Sequence, residues 1–193
     1  MGSCVYNMGR YQDARDYYSK GLEINKKCLG DHHTLTAAAK SGLALVFGAL
    51  GDNENQLKLL DEVLETQVRC LGTGHAAVAD TSVNIGSVEK KLGNFPKALE
   101  YYKKALEIYL KCYGGSHVAV PGTYNNIGNV LQRQGKFTEA LEALEKSLQI
   151  KRLSLGDSHA SVAMTKANCR EHRLCLQSTR ESCTSTVVYS TGS

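Results

Sequence analysis

The chain has 193 residues, of which 42% are hydrophobic and 22% are charged, with a formal net charge of +4. This length and composition suffice for a sizeable buried core, and the mild charge, without any block of five or more Lys and Arg residues, argues against nucleic acid as a partner. No apolar run approaches the ~18 residues that span a bilayer, and the first residues lack the charged and apolar regions of a secretory signal, so no membrane association is expected.

Histidine and glycine recur along the chain at a fixed interval of 42 residues. The histidines are His33, His75, His117 and His159. One glycine register consists of Gly9, Gly51, Gly93 and Gly135. A fixed period in this range indicates a repeat protein. Only two prolines occur, and Val, Ile and Thr do not cluster into alternating runs, so the sequence predicts an all-α fold.

Each repeat is predicted to consist of two antiparallel helices, A and B. The predicted array covers residues 1–171: a partial repeat at 1–30, full repeats at 31–72, 73–114 and 115–156, and a partial helix at 157–171. In the repeat at 73–114, helix A runs from about Ala76 to Leu92 and helix B from about Phe95 to Cys112. Gly93 ends helix A, and apolar residues at i, i+3, i+4 and i+7 give helix B one buried face.

The pattern stops near residue 171. The register requires a turn glycine at the position of Gln177, and no helix B pattern follows it. We therefore expect an irregular or disordered tail over residues 172–193. Because the chain begins inside one helix A and ends inside another, we also expect frayed ends and a tendency to self-associate through uncapped ends.

The turn residues resemble those of the tetratricopeptide repeat. In that pattern an aromatic residue follows the glycine by two positions and an alanine by five, as in Gly93, Phe95 and Ala98. The repeat at 31–72 departs from it, with Asn53 and Gln56 at those two positions. The length of 42 residues is similar to that of kinesin light chain repeats. The resemblance implies a right-handed superhelical solenoid of antiparallel helix pairs.

The resemblance also implies that the A helices line a concave groove that binds extended peptides. On each helix A, the positions nine, six and two residues before the turn glycine fall within about 60° of one another, and we call them the groove stripe. The predicted binding residues on it are Asn84, Ser87, Lys91, Asn126, Asn129, Arg133 and Asn168. Asn pairs well with a peptide backbone, and Lys and Arg favour acidic segments. The alternative is a solvated face with structural asparagines.

The periodic histidines and cysteines are predicted to have structural roles. Copies one repeat apart lie too far from each other to share a zinc ion or to form a disulfide. The histidines are therefore expected at loops or helix starts, and Cys28, Cys70 and Cys112 as reduced, half-buried thiols, which fits a cytoplasmic location. Cys169 and His172 lack the paired spacing of a zinc site, so neither a metal nor another cofactor is predicted.

No arrangement of residues in the sequence indicates a catalytic site. The favoured hypothesis is a non-catalytic scaffold that binds protein or peptide ligands, and the resemblance extends it to a cargo adaptor of the kinesin light chain kind, with kinesin heavy chain or cargo as partners. The alternative is an assembly or regulatory repeat segment of a larger multidomain signalling protein.

Overall fold

A computed structural model describes the backbone of residues 2–190 and the side chains of residues 2–174, Leu176 and Gln177. Within these residues the chain forms helices and no strands, so the all-α prediction is confirmed. The helices are α1 (Gly2–Asn7), α2 (Tyr11–Leu29), α3 (Thr34–Leu50), α4 (Asn53–Leu71), α5 (Ala76–Lys91), α6 (Phe95–Tyr113), α7 (Ala119–Arg133), α8 (Phe137–Leu155) and α9 (Ala160–Ser190).

The chain divides between Cys112 and Tyr113 into two compact units, a first unit and a second unit. In the first unit each helix from α1 to α4 packs against the next helix, and α6 packs against α5 through Tyr102. In the second unit α8 packs against both α7 and α9. Odd-numbered helices are the predicted A helices and even-numbered helices the predicted B helices.

The core of the first unit lies where an A helix meets the B helices on either side of it. A buried cluster consists of Ala44, Leu60, Ile85 and Val88. The partly buried side chains that pack against it are Leu57, Leu59, Leu64 and Tyr101. Burying a side chain of the size of Ile85, which is 0% exposed, stabilises the fold by roughly 1.5–3 kcal/mol, so this cluster is a main source of the unit's stability.

The periodic histidines begin the A helices, as predicted. In each of them, ring Nδ1 lies 3.1 to 3.3 Å from the backbone N–H two residues later and accepts its hydrogen bond. They are His33, His75, His117 and His159. Because the first N–H groups of a helix have no partner within it, this bond satisfies one of them and explains why histidine recurs at this position.

Glycines serve two separate purposes in each repeat. Gly93 has φ +82°, and the next amide, that of Asn94, donates to the carbonyl of Glu89 at 2.8 Å, which closes the end of helix A. Gly86 instead permits a close crossing, because a Cβ there would lie 2.9 Å from ring carbon Cε1 of Tyr102. Residues with a side chain are thus disfavoured at both positions, one by backbone conformation and one by space.

Two predictions differ from the described structure. The sequence predicts an irregular tail over residues 172–193, whereas α9 stays helical to Ser190; residues 191–193 lie outside the described residues. No glycine or proline occurs between Ala160 and Ser190, so nothing ends the helix at Gln177. The periodic cysteines, predicted as half-buried, are exposed free thiols, because they lie in the last turns of the B helices. These are Cys28, Cys70 and Cys112.

Candidate functional site

The first and last residues of the groove stripe of α5 lie at the surface of the first unit. Asn84 and Lys91 are exposed, while Ile85 and Val88, which lie beside the stripe on the same helix, are buried. Within the described residues, neither Asn84 nor Lys91 has a side-chain partner. An unpaired amide and an unpaired ammonium two turns apart on one helix face therefore remain available for a ligand.

Ser87 lies between these two residues but is engaged internally. Its hydroxyl donates to the carbonyl of Val83 at 2.9 Å and lies 3.0 Å from the hydroxyl of Tyr102. Burial raises the pKa of the Tyr102 phenol, and the hydrogen bond with Ser87 offsets part of that rise. Since Ser87 holds Tyr102 against Gly86, its main contribution here is to the contact between α5 and α6.

The stripe of α7 repeats this arrangement in the second unit. Asn126 and Asn129 are half-buried and Arg133 is exposed, and none of the three has a described side-chain partner. The residues that alternate with them, Ile127 and Val130, are buried. The helix thus places two partly accessible amides and an exposed guanidinium along its stripe.

Asn168 is the predicted stripe residue of α9 and is half-buried. Its carbonyl oxygen lies 2.7 Å from Nδ1 of the buried His172. The second ring nitrogen of His172, Nε2, is buried and has no partner among the described atoms. The backbone of Asn168 is therefore tied to the core, while its side-chain amide is left for other contacts.

The stripe of α3 is apolar, unlike those of α5 and α7. Its positions are held by Gly42, Leu45 and Ala49, and Leu45 is 52% exposed. Leu35, two helical turns before Gly42 on the same face of α3, is 56% exposed. The signal was present in the sequence, since the same count from Gly51 that assigns Asn84 also assigns Leu45. In the first unit, an apolar A helix and a polar A helix thus belong to the same repeat array.

A buried charge network lies elsewhere in the first unit, and no sequence pattern pointed to it. Lys40 of α3 is 1% exposed, and its Nζ lies 2.8 Å from Oε2 of Glu62 and 3.0 Å from Oδ1 of Asp31. Burial lowers the pKa of Lys40, but the hydrogen bonds to Glu62 and Asp31 outweigh it and hold that pKa above its usual value. All three groups are paired, so this network binds the helices to each other.

Among the described residues, no group of three or more His, Cys, Asp or Glu side chains is placed to hold a metal ion. The side chain of Cys175, which follows His172 by three positions, lies outside the described residues. Likewise, no helix in the described part of the chain is long and apolar enough to cross a bilayer.

Comparison with known proteins adds two findings. A family model described as tetratricopeptide repeat matches residues 1–55 and 41–111, and a second model with the same description matches residues 122–161. No curated protein matches the chain.

Solved structures give the second finding. A candidate kinesin light chain from Podosopora anserina with nearly identical TPR-like repeats has a TM-score of 0.81 and 20% identity, over 93% of this chain and 85% of that chain. BtubC (BKLC) from P. vanneervenii has a TM-score of 0.73 and 18% identity, over 96% and 78%. The apo form of RapI has a TM-score of 0.70 and 21% identity, over 79% and 54%. At these identities the likeness concerns the fold.

Proposed function

Because the chain belongs to the tetratricopeptide repeat family, a family of protein-interaction scaffolds, we propose that its A helices bind peptide segments of partner proteins and catalyse no reaction. The observation that supports this proposal is a pair of an asparagine and a cation that recurs in the stripes of α5 and α7 without described side-chain partners. Asn84 and Lys91 form that pair in the first unit, and Asn126 and Arg133 form it in the second.

The chemistry of this pair favours an extended, acidic ligand. A side-chain amide offers a donor and an acceptor, so it can pair with one peptide unit of an extended backbone without regard to sequence. A lysine or arginine two turns away attracts a carboxylate side chain of the same ligand, and arginine can bind it through two hydrogen bonds. Half-buried Asn126 and Asn129 lose less side-chain freedom on binding than exposed side chains do.

A cargo adaptor of the kinesin light chain kind is the specific form of this proposal. It is supported by the 42-residue repeat length and by the two similar structures whose descriptions name kinesin light chains or BKLC. The exposed thiols of Cys28, Cys70 and Cys112 suit a reducing compartment, which supports the cytoplasm as the location.

Fluorescence polarisation against a peptide array tests the proposal. Acidic peptides are expected to bind, and Asn84→Ala and Asn126→Ala are each expected to weaken binding about fivefold, the value of one net hydrogen bond. Lys91→Ala is expected to weaken the binding of acidic peptides more than that of neutral peptides, and the difference is expected to be larger at low salt. Lys103→Ala is the matched control, because Lys103 is an exposed lysine on the B helix α6.

Two results would contradict peptide binding at these positions. One is an array in which no peptide binds at all. The other is a bound peptide whose affinity is unchanged by the double variant Asn84→Ala, Asn126→Ala. Either result, with circular dichroism showing that the variants fold, would favour the assembly or regulatory role instead.

A further inference from the structure

The second unit has an open groove between α8 and α9, on a different face of α9 from Asn168. Its volume is about 420 Å³. It is lined by Glu145, Leu148, Gln149, Arg152, Leu153, Asp157 and Arg173, so it holds two carboxylates and two guanidinium groups. Leu153 is 83% exposed, so the groove has an apolar side that no described residue covers.

The first unit shows what fills such a groove. Two repeats earlier in the register, Glu145 and Arg173 correspond to Asp61 and Glu89. There, Tyr101 of α6 packs against the core, close enough to Asp61 that this carboxylate helps to raise the pKa of its phenol, after burial itself. Lys97 of α6 places its Nζ 3.8 Å from Oε1 of Glu89. The filling helix thus brings an aromatic ring and a charge opposite to that of the groove.

Helix α9 differs from α5 and α7 on the face where their B helices pack. Arg170 occupies the register position of Gly86 and Gly128, at which a Cβ would already lie 2.9 and 2.8 Å from the crossing side chain. A closely packed B helix is therefore excluded at α9. With Lys166 and Arg173, Arg170 forms a basic stripe at i, i+4 and i+7; Lys166 is 3.7 Å from Asp157, and Arg173 is paired with Glu145. An occupant of this groove has to lie farther out than a B helix, and a carboxylate on it would be attracted to the exposed Arg170 beside the groove.

Helix α2 of the first unit has the matching chemistry. Tyr17 shares the register position of Tyr101 and is 49% exposed. Asp13 and Asp16 flank it, with side chains 46% and 64% exposed, and Asp16 is 3.6 Å from Arg15. Arg10 and Lys20 share this surface. Asp13 shares the position of Lys97, and Arg173 that of Glu89, so both signs are reversed and the attraction is kept.

We propose that the α8–α9 groove docks α2 of a second copy of this chain, with Tyr17 entering the groove and Asp13 facing Arg173. The surfaces on the two copies differ, so the contact is heterologous. Arg173 is already 2.6 Å from Glu145, and Asp13 is 2.6 Å from Arg10. Both pairs are exposed and hence weak, so the two charges can form a shared network on docking at little cost.

Two charge-reversal variants of the whole chain test this contact by analytical ultracentrifugation. The head variant carries Asp13→Arg and Asp16→Arg, and the tail variant carries Arg170→Glu and Arg173→Glu. The unmodified chain is expected to show a weight-average mass that rises with concentration, and less so at high salt because charges are screened. Each variant alone is expected to self-associate at least about tenfold more weakly.

Mixing the two variants is the decisive measurement. Each retains one intact surface, so the mixture is expected to form complexes of one head variant with one tail variant and nothing larger. Glu23→Arg on α2 and Lys136→Glu before α8 are the matched controls, since both residues are exposed and lie outside the proposed contact. They are expected to leave association unchanged.

The proposal is overturned if the unmodified chain stays monomeric, or if the two folded variants fail to associate when mixed. It is also overturned if the variants associate as well alone as the unmodified chain does. Binding of an acidic, tyrosine-containing peptide in the groove of a chain that stays monomeric would assign the groove to another protein. Circular dichroism of each variant establishes that it folds.

Discussion

Replacing Lys40 by methionine tests whether the buried charge network holds α3 in place. Methionine keeps most of the side-chain volume and removes the ammonium, so the cost comes from the lost interactions with Asp31 and Glu62. Removing one partner of a fully buried pair costs ~3–5 kcal/mol. Here the two carboxylate side chains are 49% and 35% exposed and regain water, so we expect a loss of about 2 kcal/mol.

The pH dependence of this loss has a definite sign. The hydrogen bond to Lys40, and after it that to Lys26, lowers the pKa of Asp31 below its usual value. Its contribution is therefore present above the unfolded-state pKa of about 3.9 and is lost as the pH falls through the lower folded-state pKa. The raised pKa of Lys40 contributes stability in the opposite range of pH. This contribution is present below the unfolded-state pKa of about 10 and is lost only as the pH rises through the higher folded-state pKa. The effect of Lys40→Met should be constant near neutrality and shrink in acid.

Hydrogen exchange of the α3 and α4 amides, compared at neutral and acidic pH, measures this prediction. Lys58→Met is the control, because Lys58 is an exposed lysine of α4, and it should change stability by no more than about 0.5 kcal/mol. The reasoning is refuted if Lys40→Met exchanges no faster than the control, or if its effect stays the same in acid. Faster exchange would mean that the paired charges stabilise the fold, whereas slower exchange would mean that methionine packs better than the paired charge.

Two further predictions concern the repeat itself. His75→Ala should destabilise α5 by about 1 kcal/mol, because the N–H of Ala77 loses its hydrogen-bond acceptor, and His75→Asn should restore most of the lost stability. Hydrogen exchange in the first turn of α5 measures both effects. Equal exchange in all three proteins would contradict the capping role. Gly86→Ala should cost about 1–3 kcal/mol in chemical denaturation, since the Tyr102 ring is 0% exposed and cannot move aside. Gly74→Ala, with no atom within 4 Å of its Cβ, should be neutral, and a loss as large as that of Gly86→Ala would argue against crowding.

The helix pairs could be predicted from the sequence because each depends on local rules that repeat. A capping histidine, a turn glycine and an apolar face recur at the same interval, so every copy supports the assignment of the others. The end of the array could not be predicted in the same way. The repeat pattern stops at Gln177, but loss of the pattern does not itself end a helix, and neither glycine nor proline occurs before Ser190.

The sequence predicts the setting of a candidate site residue only where that setting depends on one helix and not on a partner from another element. The stripes of α5 and α7 follow from helical geometry; in the structure Asn84 is exposed and Asn126 is half-buried, and their role in binding stays a prediction. The internal contact of Ser87 was not predicted, because its partner Tyr102 lies on the next helix. Lys40 was missed for the same reason, since Asp31 and Glu62 come from a loop and from another helix. Such partners become visible only when the helices are packed.

The repeat register separates the two kinds of surface in this chain. Where a position keeps its residue type, as Asn84 and Asn126 do, each copy offers the same chemistry to an extended ligand. Where a position changes from Gly86 to Arg170, the copy can no longer accept a B helix, and the packing that α5 and α7 use is replaced by charge. A ligand-binding surface and an assembly surface are thus expected at different positions of one unit, so variants of one should leave the other intact. Peptide affinity should accordingly be the same in the tail variant as in the unmodified chain, and loss of both together would mean that the two surfaces are one.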